Sequence, residues 1–140
     1  MTRGGRPARC LLGLSLAMTL AACRKPPAAL LRDVAESAHS WIQGADMAAD
    51  LWTRGLVPAG FTRIAVQDAQ KGIEAERARL GREAEALKDS RGVEAVRALD
   101  AASVAASQLA AALPRDGDGV RAARDALRAA DRALQAAGGP

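Results

Sequence analysis

Between residues 28 and 137, apolar side chains recur three and four positions apart in four successive runs, and each run stops at glycine, proline or aspartate. That period winds one apolar stripe along a helix, and no stretch alternates for long enough to build one face of a strand. A helix with one stripe must bury it against another element. Connections of a few residues leave successive helices antiparallel. The sequence therefore predicts an all-α fold, an up-down antiparallel helical bundle of about four helices over residues 28–140, or two long hairpins.

The first helix is expected from about Ala28 to Arg54. Leu31, Val34, Ala38, Trp41, Ala45, Ala48 and Trp52 form its stripe, and Gly55 and Pro58 supply the stop. Arg32, Glu36, His39, Gln43, Asp46 and Asp50 share the opposite face, which reads as solvated. The second helix is expected from about Ala59 to Lys88 through Val66, Ala69, Ile73, Leu80, Ala84 and Leu87, with Glu76 interrupting the stripe. Glu74–Arg77, Glu76–Arg79, Arg79–Glu83 and Glu85–Lys88 are spaced as local ion pairs, each worth a few tenths of a kcal/mol. Gly72 and Gly81 weaken this helix and mark a close approach or a kink. Asp89-Ser90 is a turn and N-cap for a third helix, with Ala95, Leu99, Ala102, Ala106, Leu109 and Leu113 in phase. A break over residues 114–119 precedes a fourth helix, starting near Asp118 or Val120. There Val120, Ala123, Leu127, Ala130, Leu134 and Ala137 make a seam of coiled-coil type.

Large core side chains are few: the chain has one Phe, two Trp and no Tyr. An alanine-rich core buries little area per residue, so modest stability or help from a partner is expected. Small side chains also let helices approach closely, which suits self-association.

The N-terminus has a different character. Residues 1–9 are basic, through Arg3, Arg6 and Arg9, and residues 10–20 are apolar. This apolar run is shorter than the roughly 20 residues needed to cross a bilayer core of about 30 Å. Small residues then lead into a cysteine, Leu20-Ala21-Ala22-Cys23. This order resembles the lipobox-type signal peptide of bacterial lipoproteins. The resemblance covers residues 1–23 and implies a signal peptide over 1–22, removed before Cys23. It also implies lipidation of the Cys23 thiol as a membrane anchor, and a cell-envelope location. In a Gram-negative organism, Arg24 in place of aspartate implies the outer membrane facing the periplasm. Residues 23–27, Cys23 with Arg24-Lys25-Pro26-Pro27, then form a short basic tether. The four residues after the cysteine reach at most about 14 Å. The formal charge of +4 includes the three signal arginines, which leaves +1 for the remainder and no footprint of a nucleic-acid binder. With Cys10 removed and Cys23 alkylated, no thiol is left for a disulfide, a metal or nucleophilic catalysis.

Chemistry-bearing constellations are sparse. His39 is the lone histidine, too few nitrogen donors for a metal centre, and it reads as a surface residue. Residues 116–119, Asp-Gly-Asp-Gly, match a calcium loop poorly. Pro114 stands at the first ligand position, Arg121 where an apolar residue belongs and Asp125 where the closing glutamate belongs, so a turn with an aspartate cap is expected. Trp41 and Trp52 project to the same side of the first helix, with Ala45 and Ala48 between them. They are either core or a groove for an acyl chain or hydrophobic peptide. Arg121, Arg124, Arg128 and Arg132 lie along one side of the last helix, as a solvated face or a contact for an anionic surface. No nucleophile–base pair, phosphate loop or cofactor motif occurs. The functional expectation is a lipid-anchored, non-enzymatic envelope protein without a cofactor, with a structural or protein-interaction role, bound to the membrane through Cys23 and to a protein partner or itself. The other reading is a periplasmic carrier or chaperone-like binder using the Trp41/Trp52 face.

Overall fold

The chain enters its first helix at Pro27, where a residue without an N–H loses no helical hydrogen bond. In the computed structural model, residues 25–83, 85–113, 115 and 117–139 are described. They form α1 (Pro27–Thr53), α2 (Ala59–Gly81), a short 3-10 turn (Ala86–Lys88), α3 (Ser90–Ala112) and α4 (Gly117–Gly138). Residues 1–22, read above as a signal peptide, and Cys23 lie outside the described residues.

The ends of the helices follow from local chemistry. Gly55 closes α1 in the left-handed region at φ 71°. The Leu56 N–H donates to the Leu51 carbonyl and the Gly55 N–H to the Trp52 carbonyl, both at 2.8 Å, which satisfies acceptors the helix would otherwise leave open. Asp89 caps α3, its side chain accepting from the Arg91 N–H at 3.2 Å. The second helix is shorter than the sequence predicts: it stops at Gly81, and the segment expected to continue it to Lys88 becomes the 3-10 turn. The first turn of α3 packs tightly against it. A Cβ on Gly92 would lie 1.8 Å from the Ala86 carbonyl oxygen.

Polar contacts fix the helix directions. Ser37 Oγ donates to Glu76 at 2.7 Å and Thr62 Oγ1 to the Ala48 carbonyl at 3.3 Å, so α1 and α2 are antiparallel. Arg91 donates to the Ala137 and Gly138 carbonyls, which sets α3 against α4 in the same sense. Arg124 reaches Asp46 and His39 reaches Asp131, closing α4 back onto α1. Each helix thus has two flanking neighbours, in an up-down four-helix bundle. Lys25, the 3-10 turn and Gly139 lie at one end, and residues 54–58, Leu113 and Gly117 at the other. Helix α1, with 27 residues, is about 40 Å long.

The seams expected on α3 and α4 are the buried ones, Ala95 through Leu113 and Val120 through Ala137. Helix α1 departs from expectation by one position. Ile42 is fully buried, while Trp41 is 41% exposed and Trp52 is half-buried against the core edge. Because α2 flanks α1 on one side and α4 on the other, the buried arc centres on Ala38, Ile42 and Ala49, and Trp41 falls at its α2 edge. Gly72 makes room there: a Cβ at that position would lie 2.3 Å from the Trp41 ring.

Candidate partner-binding surface

The α1–α4 contact carries a cluster of ion pairs that crosses between the two helices. Arg124 donates to Asp46 at 2.8 Å and to Asp50 at 3.0 Å, and Arg128 donates to Asp46 at 3.0 Å. Burial opposes ionisation of Asp46, but hydrogen bonds and charge from Arg124 and Arg128 outweigh it and hold its carboxyl below the usual carboxylate range. The hydrogen bond to Asp46 holds the Arg124 guanidinium above its usual value. Two turns further along, His39 Nδ1 sits 2.9 Å from both oxygens of Asp131, which is buried, and Gln43 donates to the same carboxylate at 3.4 Å. A carboxylate only accepts, so Nδ1 carries the proton.

The face of α1 expected to be solvated is therefore an interhelical surface at His39, Gln43, Asp46 and Asp50. The correction has a simple cause: its partners are on α4, remote in sequence, and complementary charges pair across the helices instead of pointing to water. Glu76–Arg79 on α2 and Glu85–Lys88 at the 3-10 turn pair locally as expected, whereas Arg77 reaches across to Asp100 and Glu74 accepts from Gln70. The crossing to Asp100 keeps the Arg77 guanidinium above its usual range.

The four arginines of α4 part company. Arg124 is mostly buried against α1, Arg128 is shared with Asp46, Arg121 holds Asp118 at 2.9 Å, and Arg132 is on the surface. Nor do the aromatic residues and alanines named on α1 line one groove. Ala45 and Ala48 are buried in the core, Trp41 lies over Gly72 on α2, and Trp52 packs at the edge of the core. Lys25 and Arg79 both reach Asp33, whose carboxyl is held low chiefly by the Lys25 hydrogen bond. Among the described residues no three His, Cys, Asp or Glu side chains gather as they would around a metal ion.

Two surfaces remain that the sequence reading did not single out. At the far end of the α1–α2 hairpin, Leu56, Phe61 and Ile64 stand exposed in succession. On the opposite side, α3 and α4 border a long shallow groove. Ala98 and Ala101 line it from α3, and Ala126, Ala129, Ala133 and Ala136 from α4, in an open depression of about 610 Å³. A second depression of about 420 Å³ continues it past Ala112 and Ala122. The signal was present in the sequence: α4 carries two seams of three-and-four spacing, and only one can face its own core.

No protein-family model, curated protein or solved structure matches the chain. Among the described residues no helix is long and apolar enough to cross a membrane.

Proposed function

We propose that this chain is a lipid-anchored protein of the bacterial cell envelope, whose helical bundle has a non-enzymatic structural or protein-interaction role close to the membrane. The observation that carries the reading is the N-terminal order of basic segment, short apolar run and Leu20-Ala21-Ala22-Cys23. The first helix begins only four residues after Cys23, at Pro27, so a lipid on that cysteine would hold one end of the bundle against the bilayer. Several acyl chains, at about 0.8 kcal/mol per buried CH₂, make such an anchor hard to release. Outer-membrane placement, facing the periplasm, is the form this takes in a Gram-negative organism.

The experiment is fractionation of cells expressing the wild type and Cys23→Ser. The wild type should sediment with membranes and partition into detergent. The variant should accumulate as a precursor of full length, because a hydroxyl is a much weaker nucleophile for lipid transfer. Equal processing and equal membrane association of the two would refute the reading. A carrier role for an acyl chain or hydrophobic peptide rests on the part-exposed Trp41 ring alone.

A further inference from the structure

The interaction role proposed above needs a surface and a partner. We infer that the α3–α4 groove is the contact surface for a second copy of this chain, the two copies packing their α4 helices antiparallel about a twofold axis near Ala129. The inference deepens the reading of an interaction protein, but it does not depend on the lipid anchor.

Three features of the groove point to this occupant. The first is shape. Ala126, Ala129, Ala133 and Ala136 are exposed on α4, on the flank toward α3 beside the seam that faces its own core. A floor of methyl groups gives a partner helix a close approach, and the approach is closest for a helix that presents small side chains in turn. The chain's own α4 presents such a surface.

The second feature is charge along α4. Asp125 and Arg132 are two turns apart, both exposed and on the same outward flank. A twofold axis midway between them sets Asp125 against Arg132 of the second copy, and Arg132 against its Asp125. Parallel packing would instead put like charges level with each other, which is unfavourable.

The third feature is the lip on α3. Glu94 and Arg97 border the same stretch of groove as Ala133 and Ala136. The same twofold axis carries the level of residues 133–136 onto that of residues 121–125. Arg97 then faces Asp125 of the second copy, and Glu94 faces its Arg121, which is exposed. These rim charges are therefore complementary in sign to one another under one symmetry operation, as an isologous interface requires. The opposite side of the bundle, including Ile64, stays outside this contact.

The test is site-directed crosslinking in the full chain. Ala129→Cys places a thiol beside the twofold axis, and Ile64→Cys serves as the control. Both are examined with wild-type Cys10 and Cys23 and again in a Cys10→Ser, Cys23→Ser background, so a failure of lipidation leaves this test intact. Copper-phenanthroline oxidation should give a crosslinked dimer of the Ala129→Cys chain in both backgrounds and none from Ile64→Cys. Asp125→Arg should lower the crosslinked fraction about tenfold, and adding Arg97→Asp and Arg132→Asp should restore it. These positions are exposed, so helical content by circular dichroism should be unchanged. The inference is overturned if Ala129→Cys crosslinks no better than Ile64→Cys. It is also overturned if its crosslinks are to a different protein, or if charge reversal leaves the yield unaltered.

Discussion

Gly72 should behave oppositely in two backgrounds. Gly72→Ala removes the entropic penalty of glycine in mid-helix, a gain of about 0.8–1.0 kcal/mol. The new methyl would sit 2.3–2.5 Å from three ring atoms of Trp41, far inside contact distance. The ring must swing off the α2 backbone, and overpacking of this kind costs about 1–3 kcal/mol. The net effect in the wild type should be a loss of up to about 2 kcal/mol. With Trp41→Ala the obstruction is gone, and the same substitution should stabilise by close to the full propensity gain. The cycle thus predicts a coupling of about 1–3 kcal/mol, well above the few tenths expected of independent sites. Urea denaturation of the chain from Lys25 onward, followed by circular dichroism for all four members, measures it. Additive effects would refute the placement of the Trp41 ring over Gly72.

Other outcomes follow from the same packing. Gly92→Ala should destabilise by at least about 2 kcal/mol, since its methyl meets the backbone oxygen of Ala86 and no side-chain rotation relieves the clash. Gly44→Ala, with nothing near the new methyl, should stabilise by roughly 0.8–1.0 kcal/mol; thermal melts of the two variants check the contrast. Asp46→Asn should cost about 1–3 kcal/mol at neutral pH by weakening the contacts to Arg124 and Arg128. The folded carboxyl titrates below its unfolded value of about 3.9. Its contribution is therefore complete above that pH and lost as the pH falls through the folded value, so the deficit of Asp46→Asn in urea melts should shrink at pH 3.

How much was legible in the sequence differs from helix to helix. On α3 and α4 every residue of the expected stripes is buried, because leucines stand at regular intervals among small and charged residues, although Ala98 and Ala105 on α3 are buried as well and Val93 and Val104 are exposed. On α1, Trp41 and Ile42 are adjacent and both apolar, and periodicity cannot say which faces the centre when two helices flank the segment. The end of α2 was misplaced because Glu85 and Lys88 suit a 3-10 turn as well as a helix. The helix ends at Gly81, and the close approach of Gly92 to Ala86 belongs to the turn that follows it. The polar α1–α4 surface was also hidden. Asp46 and Asp50 meet Arg124 only once the bundle closes, and each helix read alone shows merely a charged side. The exposed alanines of α4 were visible as a second seam, but they count as ordinary helix formers until the first seam is known to fill the core.

The central claim is that Cys23 is the lipid-bearing N-terminus of the finished protein, and intact-mass spectrometry of the protein purified from its native membranes tests it most directly. The account predicts a chain that begins at Cys23 and carries the added mass of a diacylglyceryl group, with a further acyl chain on the amine where the organism adds one. An unmodified Cys23, or a chain that still carries residues 1–22, would contradict it.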